Sequence, residues 1–153
     1  MSLIIAIGSN IGETRDNLSN AISHLEKYFT LKSKSRVYTS EAVDYENQPD
    51  FLNQVLEFEK PQISPSECMS IALKIEQELG RLRGVPKGPR IIDIDILFYE
   101  LCTSTDPHIL LPHPRLFDRS FIVLPLMELP YFSILQKHFT FTTKFNNSAF
   151  PLD

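Results

Sequence analysis

The stretch Gly88-Pro89-Arg90-Ile91-Ile92-Asp93-Ile94-Asp95-Ile96-Leu97-Phe98 constrains the fold more than any other in the chain. Successive side chains of a strand point to opposite faces. A strand from Arg90 to Tyr99 therefore sets Ile92, Ile94, Ile96 and Phe98 on one face, which must be core. It sets Asp93 and Asp95 together on the other, bracketed by Ile91 and Leu97. Two positions along a strand span about 6.5–7 Å. At an effective dielectric near 20, two carboxylate charges at that separation repel by roughly 2 kcal/mol. Aspartate is also a poor strand former, so the pair needs a cation. Arginine can supply it, and so can Mg²⁺, which takes one or two carboxylates and completes its shell with substrate phosphates. Spacing alone leaves a metal-binding pair and a solvent-facing or arginine-paired one level.

The approach to the strand tilts that balance. Residues 80–90 place Arg81, Arg83, Lys87 and Arg90 in a loop rich in Gly and Pro. Such a loop can close on a polyanion, with Arg as a bidentate donor to phosphate oxygens and Lys as a point charge. A charged loop taken alone is more simply a solvated one. Cations directly upstream of paired acids in an apolar strand are, however, the combination that phosphoryl transfer requires. The chain has no Gly-x-x-x-x-Gly-Lys-Ser/Thr sequence and no protein-kinase Gly-rich loop.

The remaining pattern gives the order of elements. Leu3 to Ile7 is a buried-strand run closed by Gly8-Ser9-Asn10. Leu18, Ala21, Ile22, Leu25 and Phe29 keep helical spacing between Arg15 and Phe29, and Leu31 to Ser40 alternates like a strand. Phe51 to Glu59 is a better strand, with Leu52, Leu56 and Phe58 on one face and Phe51, Asn53 and Val55 on the other. Ser64, Pro65 and Glu67 form the N-terminal signature of a second helix, whose stripe is Cys68, Ile71, Ala72, Ile75 and Leu79 and whose stop is Gly80. The order β-α-β-β-α-β predicts an α+β, ferredoxin-like sandwich: a mostly antiparallel sheet with helices packed on it. Short helices are expected between Pro107 and Pro130, and a β-like or loosely packed tail after Phe132. With no repeat or linker, residues 1–153 read as one domain.

Composition excludes several classes. A net charge of −4 argues against a nucleic-acid binder with a broad basic surface. Two cysteines, Cys68 and Cys102, lack metal or redox spacing and suit a reducing cytoplasm. No apolar run reaches the roughly 20 residues needed to span a bilayer, and residues 1–8 do not read as a signal peptide. A soluble cytoplasmic monomer acting on small molecules is expected. A third cluster, Pro112-His113-Pro114-Arg115 followed by Arg119-Ser120-Phe121, holds His113 in a turn. His24, His138 and Cys68 have ordinary structural readings.

Together these motifs resemble the 6-hydroxymethyl-7,8-dihydropterin pyrophosphokinase family of folate synthesis, over roughly residues 3–129. The resemblance rests on Ile7-Gly8-Ser9-Asn10 with Asn17-Leu18, on Asn47-Gln48-Pro49-Asp50-Phe51-Leu52-Asn53, and on residues 75–83. It continues through residues 88–97, Pro112-His113-Pro114, and Arg119-Ser120-Phe121 with Pro125-Leu126. It implies transfer of the pyrophosphoryl group of ATP to the pterin's hydroxymethyl oxygen. It also implies that Asp93 and Asp95 bind two Mg²⁺ ions and that Arg81 and Arg90 act on the phosphates. By the same resemblance Glu76, Arg83, Lys87, Ile96, His113 and Arg119 are nucleotide-site positions. Phe51 and Phe121 sandwich the pterin, Asn53 bonds its edge, and Gly8 with backbone from Ser40 through Ala42 to Val43 completes that pocket. Lys87 replaces a frequent tryptophan, Ala42 and Asp44 replace the usual proline and glycine, and His108 and Leu110 stand where some members have arginine and threonine. A ferredoxin-like module that binds nucleotide or RNA without chemistry, and a relative without turnover, are the rival readings.

Overall fold

The computed structural model describes residues 1–41, 48–80 and 90–152. Strand β1 (Ser2–Ser9) is flanked on both sides, by β4 (Phe51–Glu59) and by β5 (Asp93–Tyr99), antiparallel in each case. It is buried along its whole length, which is why it reads as an unbroken apolar run. Beyond β4 lie β2 (Leu31–Lys34) and β3 (Tyr38–Ser40), and β3 also pairs with β6 (Ala149–Pro151). The order β5-β1-β4-β3-β6, with every pairing antiparallel, is that of a ferredoxin-like sheet extended by one strand. The continuous strand expected over 31–40 is broken at Ser35, whose hydroxyl accepts the Val55 N–H at 3.0 Å where a strand would offer a carbonyl.

Helices α1 (Thr14–Leu25) and α2 (Pro65–Glu78) cover one face. Leu18, Ala21, Leu25, Cys68, Ala72 and Ile75 meet Leu3, Ile5, Ile7, Leu56, Phe58 and Ile94 there. The ends of α2 follow the sequence. Ser64 accepts the Glu67 N–H at 3.2 Å, Pro65 opens the helix, and Gly80 takes φ +91° just past its end. The first helix stops at Leu25, four residues before Phe29, because the chain tightens into turns at Lys27 and Tyr28 while Phe29 still reaches the core.

The opposite face carries α3 (Ser120–Leu126) and α4 (Phe132–His138), packed on Ile4, Ala6, Val55, Leu97 and Phe98. Phe98 is on the face opposite to the one its spacing predicted. Ile4 pairs with Phe98 and Ile5 with Ile96, so Leu97 is an extra residue in β5. This bulge turns Phe98 over to join Leu97, and Tyr99 returns to the helical side. Phe98 is thereby the anchor for the first part of the chain after Phe132, which is helical in α4 and packs Phe139 and Phe141 on the core before an exposed stretch leads to β6. Phe139 lies 5.3 Å from the Phe98 ring and Phe141 lies 5.2 Å from Phe117. Among the described residues no helix is long and apolar enough to cross a membrane.

Candidate active site

The cavity of about 260 Å³ that concerns function lies on the α3 side of the sheet, where β1 ends and β4 and β5 begin. Directly paired residues of an antiparallel sheet point to the same face. Asp95 opposes Ala6 and Asp93 opposes Gly8; Gly8 in turn opposes Asn53, and Phe51 opposes Ser40. Register thus gathers four strands' worth of polar groups onto one floor.

Each floor residue has a local reason for its place. A Cβ on Gly8 would lie 3.1 Å from Asn53 Oδ1 and 3.8 Å from the Phe51 ring, so glycine leaves room for a flat group. Asn53 is held by donation from Nδ2 to Ser40 Oγ at 2.8 Å. Arg90 reaches Asp93 Oδ2 at 3.4 Å and lies 5.8 Å over the Phe51 ring. The carboxylates of Asp93 and Asp95 are 23% and 36% exposed, and both residues line the cavity.

Across from this floor, His113, Arg115, Arg119 and Phe121 form a second wall. The bulge at Leu97 contributes directly: its carbonyl accepts the His113 N–H at 3.0 Å. His113 Nδ1 accepts from Arg115 N at 3.4 Å, which leaves the proton of a neutral ring on Nε2, 4.0 Å from Asp95. Burial pushes the imidazole below its ordinary pKa, Arg119 and Arg115 push it further, and Asp93 pulls the other way, so the neutral ring is favoured. Arg119 lies 5.6 Å over the Phe121 ring. Each wall therefore presents one arginine stacked on one phenylalanine.

Gly8, Ser40, Phe51, Asn53, Arg90, Asp93, Asp95, His113, Arg119 and Phe121, all singled out from sequence, line this one cavity. Glu76 and Ile96 do not line it among the described residues. Ile96 is 1% exposed in the helical core, because alternation turns it away from the aspartates. Glu76, 3% exposed, accepts the Ile94 N–H at 2.7 Å, satisfying the outer edge of β5 between the two aspartates. Ala42, Val43, Arg81, Arg83 and Lys87 lie outside the described residues.

Sequence reading missed Asn10, which is 2% exposed and joins three segments. Its Nδ2 donates to Gln48 Oε1 at 2.8 Å and Pro49 O at 3.0 Å, and its Oδ1 accepts the Arg90 N–H at 2.7 Å. The signal was the asparagine in Gly8-Ser9-Asn10, where a turn alone explains the residue. Gln48 and Arg115 also line the cavity.

Among the described residues no group of three or more His, Cys, Asp or Glu could enclose a metal. Two neighbouring carboxylates on one face do fit Mg²⁺, which keeps water and phosphate ligands, and not a closed zinc cage.

The profile of the family described as 7,8-dihydro-6-hydroxymethylpterin-pyrophosphokinase matches residues 4–131. The 2-amino-4-hydroxy-6-hydroxymethyldihydropteridine pyrophosphokinase of Bacillus subtilis (strain 168) is 38% identical over 127 residues, 82% of this chain and 75% of that protein. Its Aquifex aeolicus (strain VF5) counterpart is 38% identical over 128 residues, 84% of this chain and 79% of that protein. The folic acid synthesis protein fol1 of Schizosaccharomyces pombe is 37% identical over 127 residues, and the match spans 17% of that longer protein. In three dimensions the chain resembles a Plasmodium falciparum HPPK-DHPS crystallised with pterin and p-hydrobenzoate. The TM-score is 0.58 at 14% identity, covering 80% of this chain and 39% of that one, which bears on the fold alone. With five-sixths of its length matched by the family profile and a ferredoxin-like sheet beneath the shared motifs, the chain belongs to the 7,8-dihydro-6-hydroxymethylpterin-pyrophosphokinase family.

Proposed function

We infer that the chain transfers the pyrophosphoryl group of ATP to the hydroxymethyl oxygen of 6-hydroxymethyl-7,8-dihydropterin, releasing AMP and the dihydropterin diphosphate for folate synthesis. The observation that carries this reading is one cavity that combines two partly exposed aspartates with two arginine-phenylalanine pairs. A pterin needs flat apolar faces above and below and matched hydrogen bonds at its edge. Phe51 and Phe121 supply the faces, and Asn53 and backbone near Ser40 supply the edge, with Gly8 giving clearance. The triphosphate needs fixed positive charge, which Arg90 and Arg119 provide, and His113 adds a neutral Nε2–H donor. Arg81 and Arg83 join them by the family's motif, and Lys87, where members often carry tryptophan, adds a further cation.

The hydroxymethyl oxygen forms a bond to the β-phosphorus as the bond from that phosphorus to the AMP oxygen breaks. Asp93 orients the hydroxyl and accepts its proton. Asp93 and Asp95 would hold Mg²⁺, two ions by the family resemblance, which would neutralise the phosphates and the charge that builds during transfer. Arg90 stabilises that charge from the floor, and its contact with Asp93 keeps both groups aligned before substrate arrives. In this reading residues 1–153 act as one monomeric domain in the cytoplasm. The deciding assay incubates the protein with ATP, Mg²⁺ and 6-hydroxymethyl-7,8-dihydropterin and follows AMP. AMP formation that requires the pterin is expected, and none above background would sink the reading.

A further inference from the structure

We propose that Asn147, in the C-terminal segment beyond the family-matched residues, is a positioning residue that sets the Arg119–Phe121 wall of the active site. The proposal rests on the reading above, in which Arg119 and Phe121 touch the substrates.

Helix α3 begins at Ser120, and its N-cap residue, Arg119, makes no side-chain cap hydrogen bond. The first N–H groups of a helix have no partner within it, and here one is satisfied from 27 residues away. Asn147 Oδ1 accepts the Ser120 N–H at 2.8 Å and also the Ser120 hydroxyl, while its Nδ2 donates to Asp118 O at 2.9 Å. One amide thus clamps the main chain on both sides of Arg119. Ser120 itself is 1% exposed, so its polar groups depend on this partner. The residues on either side of it are the two that face the cavity, Arg119 and Phe121.

The clamp is itself anchored. Two residues on, Ala149 opens β6 and pairs with Ser40, whose hydroxyl holds Asn53. The segment from Asn147 to Ala149 therefore bridges the two walls of the cavity, from the start of α3 to the strand that carries the floor. An asparagine amide suits this place because it must accept from one main-chain group and donate to another. The wall it holds is a single-turn element followed by a helix of seven residues, too short to fix its own first turn by cooperativity.

The test compares Asn147→Ala, Asn147→Asp and Ser120→Ala with the parent protein. Calorimetric titrations use a non-hydrolysable ATP analogue with Mg²⁺ and 6-hydroxymethylpterin, and thermal melts are run alongside. Asn147→Ala should weaken binding of at least one ligand about tenfold, the scale of one lost part-buried hydrogen bond. Asn147→Asp keeps an acceptor for Ser120 but sets a carboxylate oxygen against the Asp118 carbonyl, so it should recover only part of that loss. Ser120→Ala removes only the hydroxyl and should move affinity the same way by a smaller factor, which keeps the test open if Asn147→Ala fails to fold. Arg119→Ala and Phe121→Ala serve as controls. If both controls weaken binding while the Asn147 and Ser120 variants stay within twofold, the positioning role is overturned and the site reading stands. If neither control affects binding, the site reading falls and the proposal with it. A loss of melting temperature shared by Asn147→Ala and Asn147→Asp, with no change in affinity, would make Asn147 a structural residue only.

Discussion

The two walls of the cavity are built by different physics. The floor consists of Gly8, Asn53, Asp93 and Asp95 on strands that pair on both sides or lie against the central strand, so every residue is located by a ladder of main-chain bonds. The opposite wall, His113 to Phe121, has no ladder. It hangs from the Leu97 carbonyl, from the Asn147 amide and, at the far end of α3, from Glu128, which accepts from Arg36 and Tyr38. A sheet is cooperative and hard to displace locally, whereas a short segment fixed by core packing and a few separate hydrogen bonds lacks that ladder. In the proposed reading the metal-binding aspartates sit on the floor, while Arg119 and Phe121 meet the substrates from the other wall.

Breaking the floor at its chemical centre should have the largest effect. Asp95→Ala is expected to lower turnover on the order of 10³-fold, measured as AMP release, with the melting curve unchanged; retention of most activity would remove Asp95 from the metal-binding role. Next is the support beneath the opposite wall. Phe98→Ala empties a fully buried site against Phe117 and Phe139 and should cost about 3–5 kcal/mol in chemical denaturation. A loss confined to the floor's substrate affinity would show that the aromatic cluster does not carry that wall.

Gly8→Ala addresses the floor's clearance. Its added carbon, 3.1 Å from Asn53 Oδ1, should shift the amide and weaken pterin binding about tenfold, an overpacking effect of ~1–3 kcal/mol. Unchanged calorimetric affinity would place the pterin elsewhere.

The smallest effect concerns the far tie of the second wall. Burial pulls the Glu128 pKa upward, but hydrogen bonds from the Arg36 main chain, Tyr38 and the Arg36 side chain outweigh it and hold the carboxyl below its ordinary 4.5. A depressed carboxylate stabilises fully above the unfolded value and loses that contribution as pH falls through the folded one. Melting temperature should therefore decline more steeply below pH 4.5 in the parent than in Glu128→Gln. Parallel acid limbs would show that this contact contributes nothing to folding.

Local pattern carried much of the floor. Alternation over Ile92–Ile96 put Asp93 and Asp95 on one face, and the alternation of Phe51, Asn53 and Val55 put them on the same face as one another, because side-chain direction in a strand depends only on counting by two. The ends of α2 were equally legible, since Ser64, Pro65 and Gly80 act through bonds within a turn or two. Legibility stopped where a residue's place depends on a distant partner. Nothing near Leu97 announces a bulge; it arises from how β5 must register on β1, and it moved Phe98 to the other core. Glu76 was a nucleotide-site position by the family resemblance alone, and its bond to the Ile94 N–H, 18 residues away, has no local signal.

By itself, then, the sequence determined the order of elements and the faces of the strands, because period is a local property, and through its family resemblance it marked the residues proposed to bind phosphate, metal and an aromatic ring. Only the tertiary structure decided that Gly8, Asn53 and the aspartates share one floor, that Asn10 ties Gln48 to Arg90, and that Asn147 reaches back to Ser120. Those placements come from strand register and long-range hydrogen bonds, whose partners no local spacing specifies.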